Sequence, residues 1–260
     1  MKRVMLTVAY DGTNYSGWQL QPNAETIESI LNRCLSELTG EAVEVIGASR
    51  TDSGVHALGN VAVFDTESPI PAEKFSYALN QRLPEDIRIR GSREVAGDFH
   101  PRHCESIKTY EYRICNAAFP LPTRRLYAHF TYVPLDISLM RRAAAYLVGE
   151  HDFKSFCSVD TQAKTTVRKI EEIEVREESV ASLEREIVIR VRGRGFLYNM
   201  VRIIAGTLME AGRGQIAPEQ VEEILLACDR QAAGPTAPAC GLTLIGYEFL
   251  EKPVDTRGTV

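Results

Sequence analysis

Apolar residues recur along the chain in two rhythms, and the first to appear is extended. Residues 4–10, VMLTVAY, read as a strand, and the polar, turn-rich DGTNYSGWQLQPNAE follows. The spacing then changes. Ile27, Ile30, Leu31, Cys34, Leu35 and Leu38 fall on one face of an amphipathic helix, with Thr26 placed to cap it and Gly40 to stop it. Strands are predicted around 43–47 and 61–64. Pro71 opens a second helix carrying Phe75, Ala78 and Leu79, Pro84 ends it, and Ile87 and Ile89 start another strand. Strand, helix, strand, strand, helix, strand is the split-βαβ, ferredoxin-like order, which RNA-recognition modules share.

The second half repeats a similar mixture over a longer stretch. Strands are expected at 109–115 and 127–133, then a helix bearing Leu139, Met140, Ala143, Ala144 and Leu147. Further strands are expected near 167–175 and 186–193, helices over 196–211 and 218–228, and a last strand over 242–249. The fold class that follows is α+β: two ferredoxin-like, RRM-like halves with mainly antiparallel sheets, joined around a central cleft. The halves are read as residues 1–105 and 106–250, with a loose tail at 251–260 that has little to bury.

Composition narrows the class. With 44% hydrophobic and 25% charged residues the chain is of ordinary globular type, and no apolar run approaches the roughly 20 residues of a spanning helix. The basic N-terminus leads into a short run broken by Thr7 and ended by Asp11, so it reads as a strand rather than a signal peptide. Six cysteines without a CxxC pair read as free thiols in a reducing cytoplasm, and the five histidines lack zinc-site spacing, so no metal is expected. A net charge of −5 speaks against a nucleic-acid partner only if the charge is evenly spread. It is not. Arg190, Arg192 and Arg194 alternate along one strand. Arg102, Lys108 and Arg113, the pairs Arg124–Arg125 and Arg141–Arg142, and Lys164, Arg168 and Lys169 form further clusters. Each alone reads as solvated surface; together they read as a phosphate track.

Candidate chemistry centres on SRTDSGVHA, residues 49–57. An Asp-Ser-Gly turn between strands is ordinary turn chemistry. Two features point further: the link is about ten residues, longer than a hairpin needs, and Arg50 and Asp52 stand two apart, on one face of extended backbone.

This segment resembles the R-T-D-x-G-V-H-A loop of the tRNA pseudouridine synthase A family, and the likeness runs through nearly the whole chain. YDGTNYSGWQLQ (10–21), FHPRH (99–103), KTYEYRI (108–114), TVRKI (166–170), GRGFLYNMVRIIAGTL (193–208) and APACGLTL (237–244) match that family's motifs in order. Ser49 stands where the family often has Gly. The resemblance implies an isomerase acting on the anticodon stem-loop of tRNA, a homodimer without metal or cofactor. It implies Asp52 as the catalytic nucleophile and Arg50 at the mouth, holding the flipped nucleotide. It also implies Tyr110 stacked on the uracil and placed to take the C5 proton, and Arg202 paired with Asp52.

The chemistry suits such groups. Moving a uracil from its N1–C1′ bond to a C5–C1′ bond oxidises and hydrolyses nothing. It needs an ionised carboxylate at the sugar, acting on C1′ or on the 2′ proton; an Asp of reference pKa about 3.9 is charged at neutral pH unless burial intervenes. A buried cation keeps it charged, and stacking, worth about 1–3 kcal/mol per base, holds the detached uracil while it turns. Tyr110 and Tyr112 are expected to alternate, so that only one faces the cleft. His56 and His100 read as structural hydrogen-bonding groups, and Trp18 as packing. Two other classes compete. A non-catalytic RNA-binding module would want an aromatic signature the strands lack, and a glycosidase would want a second acid opposite Asp52.

Overall fold

The computed structural model describes residues 1–159, 161, 163–181 and 184–250; the tail at 251–260, expected to be loose, lies outside them. The chain divides into two compact units, Met1–Ser106 together with the segment from Leu244 onward, and Ile107–Thr243. The class is α+β with mainly antiparallel strands. No helix among the described residues is long and apolar enough to cross a membrane.

In the first unit β1 (Lys2–Tyr10), α1 (Ile27–Thr39), β2 (Ile46–Gly47), β3 (His56–Thr66), α2 (Phe75–Leu79) and β4 (Ile87–Val95) follow in turn. The strands order as β4-β1-β3 with β2 on β3, all antiparallel, which is the split-βαβ arrangement. Helix α1 forms where its apolar stripe predicts. Thr26 accepts from Ser29 N–H in a reciprocal capping box, and Gly40 closes the far end in the left-handed region at φ 74°. Its buried Ile27, Ile30, Leu31 and Leu35 belong to the core, as do Phe64 and Phe75, whose rings meet edge to face at 5.1 Å. A second cluster is built on Met5, Val61, Val63, Val95 and Phe99, against which Tyr247 and Phe249 pack. Strand β1 is apolar at consecutive positions rather than alternating, as befits a strand covered on both faces.

Several boundaries differ from the sequence expectation. The strand expected over 43–47 is only Ile46–Gly47, because the backbone N–H groups of Val43 and Val45 donate to Ser36 and Asn32 of α1 instead of to a neighbouring strand. Helix α2 stops at Leu79, well before Pro84. Asn80 turns its carboxamide onto Ile89, donating to its carbonyl at 2.9 Å and accepting from its N–H at 2.8 Å.

The second unit carries β5 (Ser106–Asn116), β6 (His129–Thr131), α3 (Ile137–Ala145), β7 (Gly149–Asp152), β8 (Val167–Ala181), β9 (Glu184–Arg194), α4 (Met200–Gly212) and α5 (Gln220–Ala227), and β10 (Leu242–Phe249) begins in it. Its strands order as β5-β9-β8-β7, an antiparallel meander closed by β5, with the short β6 parallel to β5. Helix α4 is buried nearly all round; Arg202 and Glu210 alone in it are not fully covered. It starts at Met200 and not at Phe196, because Gly195 and Asn199 both take left-handed backbone, at φ 74° and 60°.

Candidate active site

In the loop at 48–55 between β2 and β3 burial alternates over residues 49–52. Ser49 and Thr51 are buried, Arg50 is exposed and Asp52 is half-buried. That is the period-two arrangement expected from the sequence. Gly54 at φ 76° supplies the turn that returns the chain to β3, and Val55 N–H donates to Asp52 O at 3.1 Å.

The segment at 10–18 holds this loop. Trp18 N–H donates to Thr51 O at 3.0 Å, the Tyr10 and Thr51 hydroxyls are 2.7 Å apart, and Ser53 Oγ donates to Tyr15 O at 3.2 Å. Gly12 is there because nothing larger fits: a Cβ would fall 2.0 Å from Val55 O. Trp18 is 1% exposed and its ring abuts Gly47, the packing role expected of it. His56 is buried, with Nδ1 3.1 Å from both Gly12 N and Asp11 Oδ1, so the imidazole serves this turn. His100 lies in a different part of the unit, stacked on His103 at 3.9 Å; burial, then His103, holds its pKa below the ordinary value.

Sequence reasoning missed the residue behind the loop. Asn60 is wholly buried, and its carboxamide bonds both the N–H and the carbonyl of Ser49. The one signal was a lone amide in the strand run HALGNVAVF.

The second unit carries the other two predicted site residues. Tyr110 lies on β5, 8% exposed, with its ring edge to face with Phe196 at 5.1 Å. The expectation that Tyr110 and Tyr112 face opposite ways is wrong. Residues two apart on a strand share a face, and these two stand opposite Val191 and Ile189, both buried. They differ in depth: Tyr112 is 0% exposed, and its hydroxyl donates to Pro238 O at 2.9 Å. Lys108 continues the same face of β5. Burial pushes its ammonium down to about 8, with Arg168 adding to the shift.

Arg202 sits in the first turn of α4. Its Nε donates to Ala237 O at 2.7 Å and its Nη1 to Asn199 Oδ1 at 2.8 Å, while Ala237 N–H donates back to Arg202 O at 3.1 Å. Gly206 lets residues 234–237 lie against the helix, since a Cβ there would meet Pro235 O at 1.8 Å. Three separated motif blocks, at 108–114, 193–208 and 237–244, thus converge within this unit. Arg50 and Asp52 lie together in the first unit, and Tyr110 and Arg202 lie in the second.

The arginine stripe differs from its expected form. Arg190, Arg192 and Arg194 do share one face of β9, but the register sets Glu174 opposite Arg190 and Glu172 opposite Arg192. Arg192 pairs with Glu172 at 3.3 Å and Arg194 with Glu171 at 2.8 Å. On the same face Arg113 bridges Glu111, Glu178 and Glu186, and Arg176 joins Glu111 to Glu178. Glu186, 1% exposed, also takes Arg124 Nε at 2.8 Å. Hydrogen bonding from Arg113 holds the Glu178 carboxyl below the usual range. Arg192 and Arg194 are thus matched by glutamates, while Arg190, opposite Glu174 in register, has a buried Nε for which the described residues show no hydrogen-bond partner.

Comparison with known proteins finds a family described as tRNA pseudouridine synthase, whose model matches residues 6–103 and 143–249. A protein of Acetivibrio thermocellus named tRNA pseudouridine synthase A is 49% identical over 94% of this chain and 98% of its own length. One of Brevibacillus brevis with the same name is 47% identical over the same shares. A third, of Caldicellulosiruptor bescii, is 44% identical over 96% of this chain and all of its own.

Proposed function

The chain belongs to the tRNA pseudouridine synthase family, and from this premise we propose that it acts on the anticodon stem-loop of tRNA, with Asp52 as the reacting carboxylate. Family membership makes it an isomerase that converts uridine in tRNA to pseudouridine. The supporting observation for Asp52 is its setting: a half-buried carboxylate next but one to an exposed arginine, on a loop tied down on both sides of it.

In this reading the N1–C1′ bond breaks, the uracil turns, C5 bonds to C1′, the C5 proton leaves and N1 is protonated. Atoms balance without oxidant or cofactor. Asp52 acts at the sugar by one of two routes: attack on C1′, or removal of the 2′ proton to give a glycal. A primary isotope effect with deuterium at C2′ marks the second route. Arg202 supplies the cation that keeps the carboxylate ionised where water is excluded. Tyr110 stacks on the base and takes the C5 proton, and Arg50 holds the nucleotide after it leaves its stack, an extrusion that costs a few kcal/mol. Lys108 and Arg168 contribute to phosphate binding. The enzyme works as a homodimer, a reading supported by the family resemblance, and in the cytoplasm, a reading supported by six free thiols.

The test uses unmodified tRNA carrying tritium at uridine C5. Release of label to water, with pseudouridine mapped to the anticodon stem-loop, is the expected result. Pseudouridine elsewhere in the tRNA overturns the proposed target, and free uracil with an abasic site would indicate a glycosidase. Tyr110→Phe retaining full turnover removes its proton-acceptor role.

A further inference from the structure

Asn60 lies in the middle of β3 and is 0% exposed. Its side chain is saturated with hydrogen bonds. The carboxamide oxygen accepts from Val61 N–H at 2.9 Å, Tyr247 OH at 3.2 Å and Ser49 N–H at 3.3 Å. The amide nitrogen donates to Ser49 O at 3.0 Å and to Tyr10 OH at 3.2 Å. The oxygen and nitrogen ends cannot be exchanged, because a backbone N–H only donates and a carbonyl only accepts.

The network runs on toward Asp52. Asn60 donates to the Tyr10 oxygen, and the Tyr10 and Thr51 hydroxyls, either of which can donate, lie 2.7 Å apart. Thr51 precedes Asp52, and its carbonyl is held by Trp18 N–H. One buried carboxamide therefore grips the loop at Ser49 through both backbone groups and at Thr51 through a tyrosine. An apolar residue at this place in the core would avoid the cost of burying an amide. What the amide adds is a preferred loop geometry, since its two bonds to the Ser49 backbone are satisfied in one orientation only.

We propose that Asn60 is a positioning residue, which through Ser49, Tyr10 and Thr51 fixes the direction in which Asp52 presents its carboxylate to the sugar. This rests on the reading of Asp52 as the reacting group. Misplacement of a reacting group by about 1 Å costs on the order of 10²-fold in rate, so the network should show in turnover and not in tRNA affinity.

The experiment measures single-turnover tritium release, tRNA affinity and melting temperature for Asn60→Leu, Tyr10→Phe, Thr51→Val and Thr51→Ser, with Asp52→Asn in parallel. Asn60→Leu is expected to slow release by about 10²-fold, and Tyr10→Phe and Thr51→Val by about 10-fold, with tRNA affinity within twofold or so of the unaltered enzyme. Thr51→Ser, which keeps the hydroxyl, restores the rate. Combining Asn60→Leu with Tyr10→Phe adds little to Asn60→Leu alone, because the two belong to one chain of bonds. Unchanged release by Tyr10→Phe and Thr51→Val, with only a lowered melting temperature, overturns the proposal even if Asn60→Leu fails to fold. Full release by Asp52→Asn overturns the underlying reading of Asp52, a separate outcome seen in a different variant.

Discussion

The loop that carries Asp52 and the charged face of the β5-β9-β8 sheet are both polar constructions, and they are held in opposite ways. The loop hangs on neutral hydrogen bonds: Asn60 to Ser49, Tyr10 to Thr51, Trp18 to Thr51 and Ser53 to Tyr15. The sheet face is a lattice of ions in which Arg113, Arg124 and Arg176 share Glu111, Glu178 and Glu186. Neutral bonds keep their strength when salt or pH changes. Ion pairs answer to both, and exposed ones are weak. On the proposed reading, a carboxylate that must act at one position of the sugar of a polyanionic substrate is better fixed by the first kind, which salt weakens least.

The largest effect that would break this contrast comes from Glu186. Removing a buried carboxylate that serves two arginines takes from Arg124 the carboxylate it pairs with, while Arg113 keeps Glu111 and Glu178, so Glu186→Ala should cost about 1.5–3 kcal/mol in urea unfolding. Turnover per folded molecule should stay unchanged. A stable Glu186→Ala protein with lost activity would tie the lattice to the chemistry and blur the distinction.

A middle-sized effect concerns Lys108, on the Tyr110 face of β5. Its folded-state pKa, about 8, is below the 10.5 of a free lysine. The charged form therefore carries a stability penalty below pH 8, relieved as pH rises from 8 toward 10.5. Binding has the opposite sign. If Lys108 meets a phosphate, the complex holds its proton more tightly, and tRNA affinity is full below pH 8 and falls as pH rises above it, by roughly tenfold for one charge-assisted contact. Filter binding from pH 7 to 10 checks this. A Lys108→Gln variant should show a flat profile, and a flat profile in the unaltered enzyme removes Lys108 from the phosphate contacts.

The smallest effect is at the exposed end of the lattice. The Arg194–Glu171 pair is nearly half open to solvent on the arginine side, so Arg194→Ala should change stability by less than about 1 kcal/mol. A larger loss would mean that the lattice acts as one unit.

Much of the fold was legible where local signals agreed. Helix α1 combined a continuous apolar stripe, a capping threonine and a closing glycine, and it lies where the sequence put it. The ends of α2 and β2 were not legible because a side chain decides each, Asn80 on Ile89 and Ser36 and Asn32 on the 43–45 backbone, and the start of α4 was not because left-handed backbone at Gly195 and Asn199 delays it. At the site, the alternation of exposure over residues 49–52 follows the period of extended backbone on which Arg50 and Asp52 are read as sharing a face. The opposite facing assumed for Tyr110 and Tyr112 contradicted that same period. Asn60 and Glu186 went unnoticed because what matters is the partner each meets across a sheet or under a loop, and one-dimensional patterning does not record that.

The most direct measurement is single-turnover release of tritium from uridine C5 by Asp52→Asn, with bound tRNA quantified in the same samples. The expected result is no release above background while tRNA is held as tightly as by the unaltered enzyme. Release at the unaltered rate would contradict a carboxylate at residue 52 as the group that acts on the sugar.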